Sequence, residues 1–128
     1  MSLARNTARA WTKLNIPSIA AINGHAFGWG LEMSLACDLR VANTDALLCF
    51  PECGLGIFPG ALGAVLLPRI VGPAIAKDLI LTSRRIKGDE ALTLGLVNRV
   101  ASGSTQTRGI AMELALMVGL VRQPFFEK

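Results

Sequence analysis

The sequence lacks tyrosine, has one histidine, and contains only 5% aromatic residues. Its 13 Lys and Arg residues exceed its 9 Asp and Glu residues, but they are scattered, and only Arg84, Arg85 and Lys87 cluster. Nucleic-acid recognition usually combines a basic patch with aromatic side chains that stack on bases. A nucleic-acid partner is therefore disfavoured, and the net charge of +4 suits a phosphorylated ligand equally well.

Long uninterrupted hydrophobic runs are also missing. The most apolar stretch, residues 61–81, is broken by Pro68-Arg69, by Pro73 and by Lys77-Asp78. A membrane-spanning helix tolerates such charges poorly, so we expect no membrane span.

Cysteine is scarce and shows no disulfide pattern. Three cysteines in an apolar context indicate a reducing compartment, such as the mitochondrial matrix or the cytoplasm. Cys49 and Cys53 could be combined with His25, but the spacing is not that of a zinc site and no second Cys/His pair follows. We therefore expect no metal.

The common catalytic motifs are absent. The glycine-rich segment 23–30 matches neither a phosphate-binding loop nor the dinucleotide GxGxxG spacing. No GxSxG motif is present, so acyl-serine hydrolysis has no nucleophile in its usual setting.

Apolar residues, in contrast, are abundant. Hydrophobic residues make up 52% of the chain, and 13 glycines add to them. This exceeds the roughly 45–50% typical of soluble domains for that residue set. We therefore expect a large interface with other chains, or missing segments that cover the apolar surface.

The pattern of apolar residues predicts an α/β domain. Ile19–Ile22 is a short apolar run typical of a strand buried on both faces, and the glycine-rich segment leads from it into a helix. Further strands are predicted over 39–42, 47–50 and 97–100, and helices over 4–14, 31–36, 62–70, 74–81, 89–94 and 107–120.

Two glutamates are candidate acid/base residues. Glu32 falls in the first turn of the helix after Gly30, and Glu52 follows the strand 47–50. If the strands pair as predicted, both loops emerge at the same sheet edge, where two carboxyl groups can orient a water molecule and transfer its protons. The helix N-terminus can also stabilise an oxyanion. Alternatively, Glu32 only offsets the helix dipole and Glu52 is an ordinary loop residue.

A run of motifs resembles the enoyl-CoA hydratase/isomerase (crotonase) family. Residues 19–32, Ile-Ala-Ala-Ile-Asn-Gly-His-Ala-Phe-Gly-Trp-Gly-Leu-Glu, and residues 35–40, Leu-Ala-Cys-Asp-Leu-Arg, resemble its signature. The resemblance covers residues 16–100, leaving 101–128 as an atypical C-terminal helix. The sequence around Glu32 is also similar to that of methylglutaconyl-CoA hydratases. Pro51-Glu52, Pro59-Gly60 and the segments 55–57, 67–69, 76–77 and 95–97 follow in the family's order.

The resemblance implies a fold and an activity. The fold would be a layered β-β-α architecture of the ClpP/crotonase type, truncated at both ends. The activity would be addition of water across the 2,3 double bond of an acyl-CoA thioester. Coenzyme A would be part of the substrate, with no further cofactor, and the enzyme would be a homo-oligomer, a trimer or a hexamer.

The resemblance also implies site residues. Glu32 and Glu52 match the catalytic acids, and the backbone N–H of Trp29 matches the second oxyanion donor. Positions matching substrate-binding residues are Ala26, Phe27, Gly28, Pro51 and Gly60.

Three departures qualify these expectations. Trp29 stands where the family has a small residue, so the indole could block the acyl pocket, or twist the turn if φ must be positive. Residues 59–67 lack the family's usual glycine pair and polar residues. The family's first oxyanion donor lies in an upstream segment that these 128 residues do not contain, so we expect them to have little activity alone.

Two alternatives stay open. The protein could be an enoyl-CoA isomerase, since such isomerases commonly rely on one acid. It could also be an inactive remnant that acts as an interaction or RNA-binding module. Structural or surface roles are expected for His25, Asp38, Arg69 and Lys77.

Overall fold

The computed structural model describes residues 2–119, and within that range the chain forms two three-stranded sheets and six α-helices. In chain order the elements are α1 (Leu3–Thr12), β1 (Ile19–Ile22), β2 (Ala26–Phe27), α2 (Trp29–Ala36), β3 (Leu39–Asn43), β4 (Leu47–Cys49), a 3₁₀ turn (Cys53–Leu55), α3 (Gly63–Val71), α4 (Pro73–Thr82), β5 (Ile86–Lys87), α5 (Gly88–Thr93), β6 (Arg99–Ala101) and α6 (Ser104–Gly119).

The first sheet contains three parallel strands in the order β1-β3-β6. Ile19 lies opposite Leu39 and Val41 lies opposite Arg99, so β3 is the central strand. Helix α6 packs across all three strands. Because β3 is enclosed on both sides, Val41 and Ala42 are fully buried.

The second sheet has the order β2-β4-β5. Strands β2 and β4 run parallel, with Ala26 opposite Leu48 and Phe27 opposite Cys49, whereas β5 is antiparallel to β4. One apolar core joins the two sheets to the helices. Its members include Leu31, Leu35, Ala42, Leu48, Phe50, Leu67, Leu79, Ile86 and Leu96.

Arg40 is a buried cation that ties α2 to the segment before β6. Its guanidinium donates hydrogen bonds to the carbonyl oxygens of Leu96 at 2.8 Å, Cys37 at 2.8 Å and Ser34 at 3.1 Å. Burial lowers the pKa of Arg40, but the carbonyls at the C-terminal end of α2 offer favourable partners for a positive charge.

The predicted α/β class and the predicted helices and strands are confirmed, with boundaries that shift by a few residues. The predicted end of the last helix, Leu120, lies outside the described residues. None of the helices within residues 2–119 is long and apolar enough to cross a membrane.

Two expectations about the strands are wrong. Strand β1 is not buried on both faces, because it lies at the sheet edge and only Ile22 is buried. Residues 26–27, predicted to be part of the glycine-rich turn, form strand β2, which pairs with β4, so β4 lies in a different sheet from β3.

Candidate active site

The parallel pair β2 and β4 positions both glutamates. Strand β2 leads through Gly28 into α2, which carries Glu32, and β4 leads into the segment that carries Glu52. The N–H of Gly28 donates to the carbonyl of Cys49 at 2.9 Å and continues the pairing past the end of β2. Since the carboxyl ends of parallel strands meet at one sheet edge, the two acids follow the same edge, as predicted.

Glu32 is held in place by the backbone at the start of α3. Its side chain is buried, with 3% exposed, and its Oε1 accepts hydrogen bonds from the N–H groups of Gly63 at 2.8 Å and Ala61 at 3.0 Å. A Cβ at Gly63 would lie 2.7 Å from that oxygen. Only a glycine therefore leaves room for Glu32 at this point.

Glu52 is less constrained. Its Oε2 is buried and has no hydrogen-bond partner within residues 2–119. Its Oε1 lies beside Gly28, where a Cβ would be 2.9 Å away. Burial raises the pKa of Glu52 above its ordinary value, and the nearby charge of Glu32 raises it further, although a backbone hydrogen bond acts in the opposite direction.

Trp29 begins α2, directly after the turn at Gly28. Backbone N–H groups in the first turn of a helix have no acceptor within the helix, so this one can bind a ligand. The residue with positive φ is Gly28, at 54°, and not Trp29. The indole therefore does not twist the turn, and its side chain is 40% exposed.

The predicted substrate-binding residues have different surroundings. Ala26 packs against the core, and the Pro51 ring approaches Gly28. Phe27 lies at the surface, where its ring stacks with His25 and lies under the Arg85 guanidinium. The carbonyl of Gly60 accepts a hydrogen bond from Arg5 Nε at 3.1 Å.

The residues expected to have structural or surface roles, His25, Asp38, Arg69 and Lys77, lie in positions that suit such roles. His25 Nδ1 accepts a hydrogen bond from the Leu47 N–H at 2.9 Å, and Asp38 accepts one from the Ser18 N–H at 2.7 Å. Arg69 and Lys77 are exposed on helices. Within residues 2–119, no group of three or more His, Cys, Asp or Glu side chains could hold a metal ion.

The sequence interpretation missed the segment that holds Glu32. Residues 59–67 stand out in the sequence only because they lack the family's usual glycine pair and polar residues. In the structure, Leu62 occupies a left-handed conformation with φ of 106°, between the two residues whose N–H groups bind Glu32. The unusual composition was therefore the available signal.

Comparison with known proteins identifies a matching family model and similar sequences. A family model described as enoyl-CoA hydratase/isomerase matches residues 3–119. The short-chain-enoyl-CoA hydratase of Clostridium acetobutylicum is 45% identical over 113 residues, which are 88% of this chain and 43% of that protein.

Solved structures show the same fold. DspI from Pseudomonas aeruginosa superposes with a TM-score of 0.91 and 39% identity, over 96% of this chain and 50% of that one. A Thermobifida fusca protein solved in complex with CoA gives a TM-score of 0.89 and 32% identity, over 95% of this chain and 47% of that one. The chain thus spans about half the length of these proteins or less.

Proposed function

The chain belongs to the enoyl-CoA hydratase/isomerase family, and we propose that its protein adds water across the 2,3 double bond of an acyl-CoA thioester. The proposal rests on two glutamates that follow the same sheet edge and differ in their hydrogen bonding. Glu32 is anchored by two backbone N–H groups, whereas Glu52 has a buried oxygen with no hydrogen-bond partner among the described residues.

The difference between the two acids suits two proton-transfer roles. Burial raises the pKa of Glu52, and its Oε2 has no hydrogen-bond partner among the described residues, so we assign to Glu52 the delivery of a proton to C2. Glu32 helps to activate the water whose oxygen attacks C3, and it accepts the proton that this water loses. One proton leaves the water and one reaches C2, so return of the proton from Glu32 to Glu52 restores both acids.

The negative charge that develops on the thioester oxygen needs stabilisation. The Trp29 N–H lies in the first turn of α2, next to Glu32 in the same turn, where the helix dipole also favours negative charge. Trp29 is thus one oxyanion donor. Binding of a CoA thioester is supported by the Thermobifida fusca relative, which was solved in complex with CoA.

Crotonyl-CoA provides the test. Formation of 3-hydroxybutyryl-CoA is measured by chromatography, so that slow turnover is detected, for the unmodified chain and for Glu32→Gln, Glu52→Gln and Glu113→Gln. Glu113 is an exposed glutamate on α6, so its variant controls for the loss of one negative charge. We expect the first two variants to lose about 100- to 10,000-fold in rate and the control to retain it.

Deuterium labelling separates the two roles. In D₂O, exchange at C2 of 3-hydroxybutyryl-CoA requires removal and return of a proton, so Glu52→Gln is expected to abolish it. An unchanged rate of crotonyl-CoA hydration in Glu52→Gln would contradict the proposal.

The isomerase activity is tested in the same protein. Isomerisation of a 3-enoyl-CoA moves one proton between carbons and requires only one acid, for which Glu52 is available. A chain that converts 3-enoyl-CoA but does not hydrate crotonyl-CoA, with Glu32→Gln fully active, would make the isomerase the correct assignment.

A further inference from the structure

We propose that Leu62 is a positioning residue for Glu32. Its left-handed backbone aims two N–H groups at one oxygen of Glu32, so that only the other oxygen is available to a substrate. The inference rests on the proposed role of Glu32, but the contacts that support it are independent of the reaction.

The backbone of Leu62 is strained. It has φ of 106° and ψ of −8° at the N-cap position of α3. Within residues 2–119, the other non-glycine residue with positive φ is Ser83, at 52° after the end of α4. A branched side chain in this region is unfavourable, and such residues persist only when the surroundings hold them.

Glu32 provides that restraint. Ala61 and Gly63 flank Leu62, and their N–H groups converge on Glu32 Oε1 at 3.0 and 2.8 Å. Successive N–H groups around a left-handed residue form a concave site for an anion. Leu62 has no side-chain cap to offer α3, so a carboxylate from another helix occupies the N-terminus instead.

Packing restricts the Glu32 side chain further. A Cβ on Gly63 would lie 2.7 Å from Oε1 and 2.9 Å from Cγ of Glu32, so the Glu32 side chain lies closely against the backbone of Gly63. With Oε1 bound to the loop, rotation of the carboxylate would break two hydrogen bonds. The orientation of the remaining oxygen is therefore set by the conformation of residues 61–63.

The Leu62 side chain has a separate role from its backbone. It lines a cavity of about 240 Å³ between α1 and the start of α3, together with Phe58 and Val65. Leu62→Ala removes most of this side chain but keeps the Cβ that causes the strain. Leu62→Gly removes both, so the two variants separate packing from backbone strain.

Amide hydrogen exchange of the 128-residue chain tests the restraint. The amides of Ala61 and Gly63 are compared with those of the central strand β3 as an internal reference. Glu32→Gln keeps an acceptor oxygen and is expected to retain their protection. Glu32→Met has similar length but no acceptor, and should accelerate exchange at both amides about 10- to 100-fold relative to β3. Unchanged exchange in Glu32→Met would overturn the proposal.

Equilibrium unfolding tests the strain. The folding equilibrium constant of Leu62→Gly should be about 3- to 30-fold larger than that of Leu62→Ala, since glycine adopts positive φ at little cost. In the Glu32→Met background this gain should shrink, because a released loop can leave the strained conformation. Equal gains in both backgrounds would show that Glu32 does not hold Leu62.

Catalysis provides the readout that a purely structural role would not affect. If the backbone conformation of residue 62 orients the carboxylate, Leu62→Gly, which can keep the positive φ, should retain kcat for crotonyl-CoA. Leu62→Pro, whose ring fixes φ at about −65°, should lower kcat about 10-fold with little change in KM. Unchanged kcat in Leu62→Pro would overturn the positioning role. Turnover by the unmodified chain that does not exceed the uncatalysed rate would instead count against the proposed function, and the exchange experiment would still decide whether Glu32 restrains Leu62.

Discussion

Trp29 combines a backbone group that the proposed reaction uses with a side chain that it does not need. The indole is 40% exposed, and the positive φ of the turn falls on Gly28. The sequence raised the concern that an indole would distort the turn, and the structure removes it, because the strained position belongs to the preceding glycine.

The Trp29 N–H can be removed without breaking α2. Trp29 is the first residue of the helix, the position at which proline is best tolerated. We expect Trp29→Pro to fold as well as Trp29→Ala, but to hydrate crotonyl-CoA about 100- to 1,000-fold more slowly, since it lacks the donor. Circular dichroism and the hydration assay measure the two effects. Equal rates for the pair would exclude this N–H from the oxyanion site.

The raised pKa of Glu52 makes stability depend on pH. Burial, followed by the charge of Glu32, favours the protonated form in the native state. Its contribution to stability is therefore fully present below the ordinary pKa of 4.5 and is lost as pH rises through the higher native value. Glu52→Gln is neutral at every pH, so it should raise the melting temperature at about pH 8, by an amount that disappears at about pH 4.

Thermal unfolding at the two pH values checks this, with Glu113→Gln as the control for net charge. A melting temperature of Glu52→Gln that stays below that of the unmodified chain at both pH values would contradict it.

At the scale of elements, packing against Glu32, and not helix propensity, decides which residue fits at the N-terminus of α3. Gly63 has no room for a methyl group beside Glu32 Oε1, whereas a Cβ at Gly109 in α6 would meet nothing within 4 Å. Gly109→Ala should stabilise the fold by about 0.5–1 kcal/mol through helix propensity. Gly63→Ala should destabilise it by about 1–3 kcal/mol through overpacking. Denaturant unfolding of both variants tests the contrast, and a stabilising Gly63→Ala would contradict the packing around Glu32.

Most elements could be predicted because their signals are local. The proline after Ile16, the apolar run of β1 and the alternating helical patterns all act within a few residues. Strand β2 could not be predicted, because two residues inside a glycine-rich turn become a strand only when β4 lies beside them. The assignment of β3 and β4 to different sheets depends on that same pairing.

At the scale of the whole molecule, large apolar side chains remain uncovered. Leu55 is 73% exposed and Phe58 is 67% exposed, both in the segment between Glu52 and α3. Met112, Leu116 and Met117 on α6 are also exposed. Exposed apolar surface of this kind usually marks an interface, so we propose that the protein forms a homo-oligomer.

Sedimentation should therefore show self-association at micromolar concentration. Replacing Ile57 and Phe58 with asparagine should shift the protein towards the monomer if the loop forms the contact, whereas replacing Met112 and Met117 with glutamine tests α6 in the same way. A stable, well-folded monomer at that concentration would exclude the oligomer.

The number of oxyanion donors limits the rate that residues 1–128 can reach alone. Trp29 is the candidate donor in this range, whereas the family resemblance implies two. Loss of one donor typically costs about 100- to 1,000-fold in rate, and the two glutamates do not replace it because they move protons. The chain by itself should therefore hydrate crotonyl-CoA at least about 100-fold more slowly than the Clostridium acetobutylicum relative assayed alongside it. Comparable turnover would contradict this.

The sequence by itself determined the α/β class and the family and named Glu32 and Glu52 as candidates, because these depend on local periodicity and on residues in fixed order along the chain. The tertiary structure decided what makes the two acids different. Glu32 meets the N–H groups of Ala61 and Gly63 across about 30 residues of chain, while Glu52 Oε2 remains unpartnered among the described residues. Burial and hydrogen bonding of this kind depend on which segments pack together in space, and no local pattern around either glutamate encodes that.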